Sequence, residues 1–482
     1  MKKENKKVLN GTKESAIENI ESDKDYNPES QYRCTIIRGK TISKMDDLLP
    51  IYSDILNSIC PTTVEDYKKQ FDQELEKYIT NSKTIGNHRT ENVQQLLGLC
   101  YENDGMVYLT ERALNYIKDG DQPAFFKGVC FKFQQPNGTQ TIETLKDKIK
   151  HQINFRPYHF IIALLKKASA NSIVLTKNEI AFYVLNSLKV LQGKVTITQV
   201  YNRIVLDRRK GIKNKVKDKG RQYSYYMQHI NEQLDYLHLA NLIRKDRNEV
   251  WLNEKEDQAI EIFIHELENP LQFDILKYDL SKVGITKQIN LEWQKYYGEI
   301  DENIYNKFKT NIDSLAGDKS EGAKKELTSL EIGDEGEEFV LEYEKKIVRS
   351  FIPRLVNKIN HHGKTKGLGY DVTSIEAGRD KENPEYVRYI EVKSTIRVNP
   401  PNLSATLDSI TMTRNEWVIA KQHQSQFYIY RVYFTAKGTF INIIKNPYQK
   451  GKDELLYVKP ITYRLEFGNK AIDERWDPGK ND

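Results

Sequence analysis

The segment YVRYIEVKSTIRV, residues 386–398, contains a pair of charged residues whose spacing could do chemistry. Its β-branched and aromatic residues are typical of a β-strand. Side chains two positions apart in a strand project from the same face, so Glu391 and Lys393 point the same way. The alternating residues Ile390 and Val392 are apolar and point to the other face. A carboxylate and an ammonium that are buried together cost free energy unless other groups pair with them. The pair therefore indicates a functional site within a sheet.

A second carboxylate precedes this pair by about twenty residues. The stretch GLGYDVTSIEAG, residues 367–378, is typical of a strand whose backbone bends at its glycines before Asp371, and the polar turn GRDKENPE connects it to the strand with Glu391. On adjacent strands Asp371 and Glu391 can bind one divalent cation, since Mg²⁺ prefers carboxylate oxygens and keeps several waters. Lys393 would then stand beside a metal-bound water or a scissile phosphate. We expect Mg²⁺ as the cofactor, with Mn²⁺ as a substitute.

Four stretches in order extend this pattern to a known family: GDEGEEFV, GLGYDVTSIEAG, RYIEVKST and MTRNEWVIAKQHQSQFYIYRVY. Together they resemble the Protein NO VEIN C-terminal domain family, and the arrangement of acids and lysine resembles the PD-(D/E)xK restriction-endonuclease-like fold. The resemblance covers about residues 330–457. Tyr370 stands where the fold's pattern often has a proline.

The resemblance implies roles for individual residues. Glu337, on a helix that begins near Gly333, is implied as the helix acid and a further metal ligand, beside the metal ligands Asp371 and Glu391. Lys393 is implied as the catalytic lysine. Asn415 and Glu416 match the start of the family's Asn-Glu-Trp helix, where they would help to hold the active site or the DNA backbone.

An ordinary structural explanation of the same residues remains open. Glu391 and Lys393 could be an exposed pair on an edge strand, Asp371 a turn residue, and Glu337 an acid favoured by the helix dipole. Four elements in the expected order and spacing favour the functional interpretation. The histidines of the loop HHGKTKG, residues 361–367, have no partners at ligand spacing, and solvent exposure is expected for them.

Two N-terminal segments share a pattern of helix, short hairpin and helix. In residues 91–117 a turn at 103–105 precedes the strand from Met106 to Leu109, and Thr110 can cap the next helix. In residues 230–264 a hairpin tip near Asp246 precedes a strand at Val250, and a helix capped near Asn253 follows. Thr176 is a further N-cap candidate. Both segments resemble the wing and flanking helices of winged-helix domains, which favours nucleic-acid binding but also permits pure protein contacts.

A basic stretch at residues 206–221 accounts for the charge of the whole chain. Eight basic residues stand against Asp207 and Asp218, a net charge of +6 that equals that of the full sequence. The predicted DNA-binding residues are Arg208, Arg209, Lys210, Lys213, Lys215, Lys217, Lys219 and Arg221, with Tyr223, Tyr225 and Tyr226 after them. Basic side chains neutralise phosphates, and tyrosines bond to phosphate or stack on bases. The alternative is a solvated charged loop.

Length and composition exclude several classes of protein. The 482 residues favour about three domains at roughly 150 residues each. The longest apolar stretch, residues 157–165, is shorter than the ~20 residues of a membrane helix, so no membrane contact is expected. The first thirty residues lack the apolar core of a secretory signal and are predicted to be a disordered tail. Four separated cysteines indicate a reducing compartment, here the bacterial cytoplasm.

These patterns predict a multidomain chain with a mainly α-helical, winged-helix N-terminal region and an α/β PD-(D/E)xK domain built on a mixed central sheet. The predicted units are a tail (1–30), two winged-helix-like domains (31–156 and 157–279), a helical linker (280–329) and a nuclease domain (330–482). The predicted function is a Mg²⁺-dependent, type II-like restriction endodeoxyribonuclease in restriction or anti-phage defence.

The expected partners are double-stranded DNA, a second copy of the chain at least during cleavage, and a cognate methyltransferase. A requirement for modified DNA is compatible with the same layout. The alternative function is a DNA-binding regulator or defence-complex scaffold whose nuclease-like domain is inactive or depends on a partner. RNA as the substrate is a weaker alternative, because the sequence has no RNA-recognition signature.

Overall fold

The computed structural model describes residues 26–33, 44–79, 82–213, 220–315, 329–363, 365, 367–403 and 407–458 of the chain. The longer α-helices are α1 (Met45–Ile59), α2 (Val64–Leu75), α3 (Glu111–Asp119), α4 (Gln122–Lys132), α5 (Ile142–Lys150), α6 (Pro157–Ser169), α7 (Ile197–Arg209), α8 (Gly220–Leu239), α9 (Asp257–Glu266), α10 (Ile285–Gly298), α11 (Glu302–Phe308), α12 (Ser329–Phe351), α13 (Arg414–His423) and α14 (Pro447–Lys452). The strands are β1 (Thr62–Thr63), β2 (Cys100–Asn103), β3 (Met106–Leu109), β4 (Leu175–Thr176), β5 (Ile243–Asp246), β6 (Glu249–Leu252), β7 (Asn360–His361), β8 (Val372–Ile375), β9 (Val387–Ile396), β10 (Phe427–Thr435) and β11 (Gly438–Lys445). Within these ranges, helices and sheets are mixed in one chain.

The N-terminal helices surround one hydrophobic core that extends from Tyr26 to Phe308. Two small antiparallel sheets lie in this part, with strand orders β1-β3-β2 and β4-β6-β5. The hairpins β2–β3 and β5–β6 form at the two predicted turns. Thr110 caps α3, and Thr176 forms a capping box with Glu179. The sequence was sufficient to predict these turns and caps because each depends on residues only a few positions apart.

Three local features differ from the sequence-based expectations. The helix predicted around Val93 is a π-helix, His88–Leu96. Asn253 precedes a 3₁₀ turn, and its side chain donates to the carbonyl of Asn241 instead of capping a helix. The segment predicted as a helical linker is packed as far as residue 315, since α10 buries Trp293 in the N-terminal core and Leu315 is also buried. The remainder, residues 316–328, lies outside the described part of the chain.

A five-stranded sheet dominates the C-terminal part, with strand order β11-β10-β9-β8-β7. Strands β9 and β10 are parallel, and the other neighbours are antiparallel, so the sheet is mixed as predicted. Helix α12 covers one face through Val340 and Val348. Helix α13 covers part of the other face, where Ala420 packs against Phe427 and Ile429. The middle of β9 therefore lies between α12 on one face of the sheet and α13 on the other.

The N-terminal part contacts the carboxyl end of β9. Thr395 donates its hydroxyl to the carbonyl of Gly120 at 2.7 Å, and the backbone N–H of Ile396 donates to the same oxygen at 3.2 Å. Further along, Arg397 forms an ion pair with Asp47 at 2.6 Å. The strand that carries Glu391 and Lys393 is therefore anchored to the N-terminal helices two residues after the lysine. Across the described ranges, no helix is both long and apolar enough to cross a membrane.

Candidate active site

Three residues predicted from the sequence lie side by side in the C-terminal sheet. Strands β8 and β9 pair with Val372 opposite Ile390, and this register places Asp371 beside Glu391. The Asp371 carboxylate accepts the backbone N–H of Val392 at 2.8 Å, which fixes its direction. The Lys393 ammonium donates to Glu391 at 2.6 Å. The alternation of the strand thus produces the shared face that the sequence predicted.

Glycines explain how helix α12 brings a third acid to this place. Gly336 lies so close to β9 that a Cβ atom there would stand 1.7 Å from the Ser394 hydroxyl oxygen. Any larger residue would push the helix away from the strand. A Cβ atom on Gly363 would similarly stand 1.8 Å from a carboxylate oxygen of Glu337. At Gly363 only the flexible end of the Glu337 side chain would have to move, so Gly336 is the glycine that lets α12 bring Glu337 next to the sheet. Burial raises the pKa of Asp371, and the charge of Glu337 acts in the same direction.

The histidine expected to be solvated takes part in this arrangement. His361 lies in the short strand β7, and its Nε2 atom is 2.6 Å from a carboxylate oxygen of Glu337. The ring of the next residue, His362, contacts the hydroxyl of Thr373 at 2.9 Å. No sequence signal identified the first contact, because the two partners are 24 positions apart on different elements.

Helix α13 supplies a further acid from the opposite side. Thr413 caps the helix in a capping box with Glu416, whose carboxylate accepts the N–H of Thr413 at 2.9 Å. The same carboxylate accepts a hydrogen bond from Lys393 at 3.1 Å. Asn415 donates its amide to the carbonyl of Gly367 at 3.0 Å, which ties the helix to the bent loop before Asp371. The start of this helix therefore positions both the lysine and the loop.

The electrostatics of the cluster are dominated by the burial of its carboxyl groups. Burial raises the pKa of Glu391 to about 8, with the charge of Asp371 acting in the same direction and Lys393 opposing both. Burial likewise raises the pKa of Asp371 to about 6. The pKa of Lys393 is raised by Glu391 and Glu416, although burial opposes that shift. One ammonium thus faces several carboxyl groups.

A stability test follows from these raised pKa values. The folded chain holds protons on Asp371 and Glu391 above their ordinary pKa values of 3.8 and 4.5, so folding stability contributed by them should fall as pH rises to about 8. In EDTA, the Glu391→Gln variant should lose less of its melting temperature than wild type between about pH 5 and about pH 8. Differential scanning calorimetry measures this difference. The exposed Glu382→Gln variant is the control. A pH dependence in Glu391→Gln equal to that of wild type would show that folding does not raise the pKa of Glu391.

The donor set suits a hard divalent cation. Asp371, Glu391, Glu337 and Glu416 offer carboxylate oxygens, the ligand type that Mg²⁺ prefers, and their mutual repulsion would be relieved by a cation. Within the described residues, no group of three or more His, Cys, Asp or Glu side chains is already arranged around a metal position. The residue types and the accumulated charge therefore fit a metal, while the preformed coordination geometry is absent from that part of the chain.

A cavity of about 250 Å³ opens beside Lys393 between the N-terminal helices and the sheet. Helix α1 contributes Asn57 to its lining, and the end of α3 contributes Tyr116. Arg431, opposite Lys393 on β10, also lines it and is paired with Asp408 at 2.8 Å. The N-terminal part therefore forms one wall of the space next to the lysine, a feature that the sequence did not indicate.

The described part of the predicted basic segment, residues 206–213, lies mostly at the surface of the N-terminal part. Arg209, Lys210 and Lys213 are exposed, whereas Arg208 forms an ion pair with Glu179 at 2.6 Å. Arg208 and Arg209 belong to the end of α7, so the segment is only partly a loop. Lys215, Lys217 and Lys219 lie outside the described residues, and Arg221 belongs to helix α8.

The three tyrosines after the basic segment are on α8 and differ in their surroundings. Tyr223 donates its hydroxyl to Asn178 at 3.2 Å. The ring of Tyr226 lies 3.8 Å from the guanidinium of Arg33. Tyr225 is the most open, with 46% of its surface exposed. Tyr225 therefore has the surface most available for stacking.

A buried hydrogen-bond network behind the site was not indicated by any pattern in the sequence. Glu344, two turns after Glu337 on α12, is fully buried and accepts hydrogen bonds from Arg379, Ser374 and Tyr430 at 2.7–3.0 Å. These partners come from β8, β10 and the turn after β8. The network fastens α12 to the sheet and so holds Glu337 in place.

Two family comparisons match different parts of the chain. The family described as restriction endonuclease BpuJI, N terminal, matches residues 26–294, which is more than half of the sequence. The family described as Protein NO VEIN, C-terminal, matches residues 336–444, and this match confirms the resemblance inferred from the sequence motifs. A comparison with curated proteins finds no match.

A solved structure similar to the N-terminal part is the crystal structure of pyrene- and phenanthrene-modified DNA in complex with the BpuJI endonuclease binding domain. The two chains are 44% identical, with a TM-score of 0.55. The match covers 57% of this chain and 100% of the other. Because the family match spans more than half of the sequence, the chain belongs to the family of the restriction endonuclease BpuJI N-terminal domain.

Proposed function

We propose that the chain is a Mg²⁺-dependent endodeoxyribonuclease that recognises a specific duplex DNA sequence with its N-terminal part and cuts with its C-terminal part. The N-terminal region would act through winged-helix modules, and the C-terminal domain would have the PD-(D/E)xK fold. The observation that carries the proposal is the cluster of Asp371, Glu391 and Lys393 on two adjacent strands. The layout is that of a type II-like restriction enzyme in anti-phage defence.

Support for DNA recognition comes from the solved relative. Its BpuJI binding domain is in complex with DNA, and the identity of 44% over that whole domain favours the same ligand here. Exposed Arg209, Lys210 and Lys213 would neutralise phosphates, and Tyr225 would add a stacking surface. Cleavage of both strands would require a second copy of the chain or two successive binding events, and a cognate methyltransferase would protect the host DNA.

The chain's own residues supply most of the proposed mechanism. Asp371 and Glu391, with Glu337, would hold the cation. When bound, Mg²⁺ supplies charge neutralisation at the phosphate and lowers the pKa of a bound water. Lys393 would donate hydrogen bonds to the phosphate oxygens or orient the attacking water. Glu416 and Glu391 keep the ammonium in place between them. The carboxylate of Asp371 accepts the backbone N–H of Val392, so its direction is already fixed before a cation binds.

Incubation of the full chain with plasmid and phage DNA tests this proposal. With Mg²⁺ the DNA should be cut at defined positions, and with EDTA it should remain intact. Mn²⁺ should support cleavage in place of Mg²⁺. Modified phage genomes should be included, since the enzyme could require or avoid modified bases. Mapping the ends on a sequenced substrate would report the site and the distance of the cut from it.

An uncut result would favour the regulator or scaffold function. If wild type binds DNA tightly but leaves every plasmid and every modified genome intact, the C-terminal domain is inactive or needs a partner. Competition between duplex DNA and RNA of the same sequence distinguishes the two nucleic acids. Stronger competition by RNA would contradict the choice of DNA.

A charge variant tests the basic segment. Changing Lys210 and Lys213 to glutamine should weaken binding to plasmid fragments, because two phosphate contacts are lost. The slope of log affinity against log salt should fall by about 1.8, at about 0.9 for each contact. Fluorescence anisotropy over a salt series measures both quantities. Lys68 and Lys69, exposed on α2, provide the matched control, whose double glutamine variant should bind as wild type does. An unchanged slope in Lys210→Gln/Lys213→Gln would show that the segment is only solvated surface.

A further inference from the structure

Strand β11 has the composition of an interior strand but lies at the edge of its sheet. Its residues are GTFINIIK, with β10 on one side and no neighbouring strand on the other among the described residues. Apolar side chains occur on both faces, as in strands that are paired and covered on both sides. Phe440 and Ile443, on opposite faces, are 41% and 40% exposed. A long apolar edge without proline or an interior charge is a template for pairing with another strand.

The apolar pattern of β11 is symmetric about its own centre. On either side of Asn442 stand Ile441 and Ile443, and beyond these stand Phe440 and Ile444. An interface between identical copies that is related by a two-fold axis needs such a self-complementary surface. Antiparallel pairing of two β11 strands around Asn442 would place isoleucine opposite isoleucine and phenylalanine opposite isoleucine.

The charges agree with this pairing. The only charged residue of β11 is Lys445, at its last position. In the antiparallel arrangement each Lys445 lies opposite the partner's Thr439, at the two ends of the paired segment. Like charges are thereby kept far apart, since direct opposition of like charges destabilises strand pairs. Asn442, which meets its own copy at the axis, could exchange side-chain amide hydrogen bonds with it.

We propose that two copies of this chain pair antiparallel through their β11 strands, with the two-fold axis at Asn442, into one continuous ten-stranded sheet. This inference builds on the proposed function, which needs two catalytic centres to cut two strands. The axis is perpendicular to the sheet, so the faces that carry Glu391 and Lys393 lie on the same side in both copies. Five strand spacings separate the two β9 strands, about 24 Å. Both centres can therefore face one duplex.

The size of this contact determines when it forms. One pair of eight-residue strands is a smaller interface than the roughly 1,200 Å² of stable complexes. The pair should therefore form between chains bound to the same DNA molecule, where their effective concentration is high.

Cysteine cross-linking tests the register. In Asn442→Cys the two Cβ atoms would be about 4.5–5.5 Å apart across the axis, close enough for a disulfide after small adjustments. In the control Thr439→Cys the two positions would be about 20 Å apart. Each full-length variant is oxidised mildly with supercoiled plasmid and EDTA, which keeps the DNA uncut. At least tenfold more covalent dimer is expected for Asn442→Cys. Equal amounts in the two variants, or no dimer in either, would overturn the proposal, as would pairing of β11 with another segment of the same chain.

A second variant tests the consequence for cleavage. Ile443→Lys would place a charge into the paired strands, and the linear plasmid product should fall about tenfold relative to wild type, while the nicking rate should remain unchanged. Linearisation at the wild-type rate would contradict pairing through β11. If wild type does not nick DNA at all, the proposed function fails, but the cross-linking result still decides whether the copies pair.

Discussion

Replacing Lys393 by alanine should lower the rate of DNA cleavage by about 10²–10⁴-fold, the usual contribution of a positioned proton-transfer group. The ammonium is the one cation that contacts both Glu391 and Glu416 among the described residues. Its loss removes the group that would contact the phosphate or the attacking water, and it also leaves buried carboxylates without their partner. Single-turnover cleavage of a plasmid at saturating protein measures the rate of the chemical step.

Binding must be measured beside cleavage to interpret the lysine variant. Lys393→Ala should bind plasmid fragments with the affinity of wild type, since the predicted recognition surface lies in the N-terminal part. The exposed Lys421→Ala variant on α13 is the matched control and should cut at the wild-type rate. Cleavage within threefold of wild type by Lys393→Ala would exclude Lys393 from the chemistry. The cluster would then be a structural ion pair, and the residues that cut the DNA would lie elsewhere in the chain.

Local patterns in the sequence predicted much of the framework. Strand periodicity placed Glu391 and Lys393 on one face, and the turn after Asp371 made its strand the antiparallel neighbour. Thr110 and Thr176 were identified as caps because a cap depends on residues within three positions of it. Each of these features involves short separations along the chain, where steric and hydrogen-bonding preferences act directly.

Contacts between distant residues account for what the sequence did not reveal. The ion pair between Arg397 and Asp47 joins residues 350 positions apart, and no local pattern specifies it. The contact of His361 with Glu337 depends on how closely α12 approaches the sheet. That approach requires Gly336, whose motif was visible although its packing role was not. Composition can show that a residue is small, but the surface that approaches it is defined only by the fold.

Replacing Glu344 by alanine should destabilise the C-terminal part by about 1–3 kcal/mol, the usual cost of leaving a buried hydrogen-bonding group without its partner. Glu344 is fully buried, and its removal would leave the Arg379 guanidinium and the hydroxyls of Ser374 and Tyr430 without their acceptor. Hydrogen exchange followed by mass spectrometry measures the local free energy of opening. Peptides that cover β8, β9 and β10 should exchange faster in the variant, while peptides from α6 should exchange as in wild type.

Glu342, a neighbouring acid on the same helix, is a control that carries the same charge without being buried. Glu342 is exposed and pairs with Lys345 at the surface, so Glu342→Ala should leave the local free energy of opening close to that of wild type. Glu344→Ala should also lower cleavage activity, because α12 positions Glu337 beside Asp371. Equal exchange in the two variants would show that the network does not hold α12 to the sheet. A loss of hydrogen-exchange protection in Glu344→Ala alone would show that Glu344, which belongs to no catalytic motif, holds α12 to the sheet and so keeps Glu337 in position.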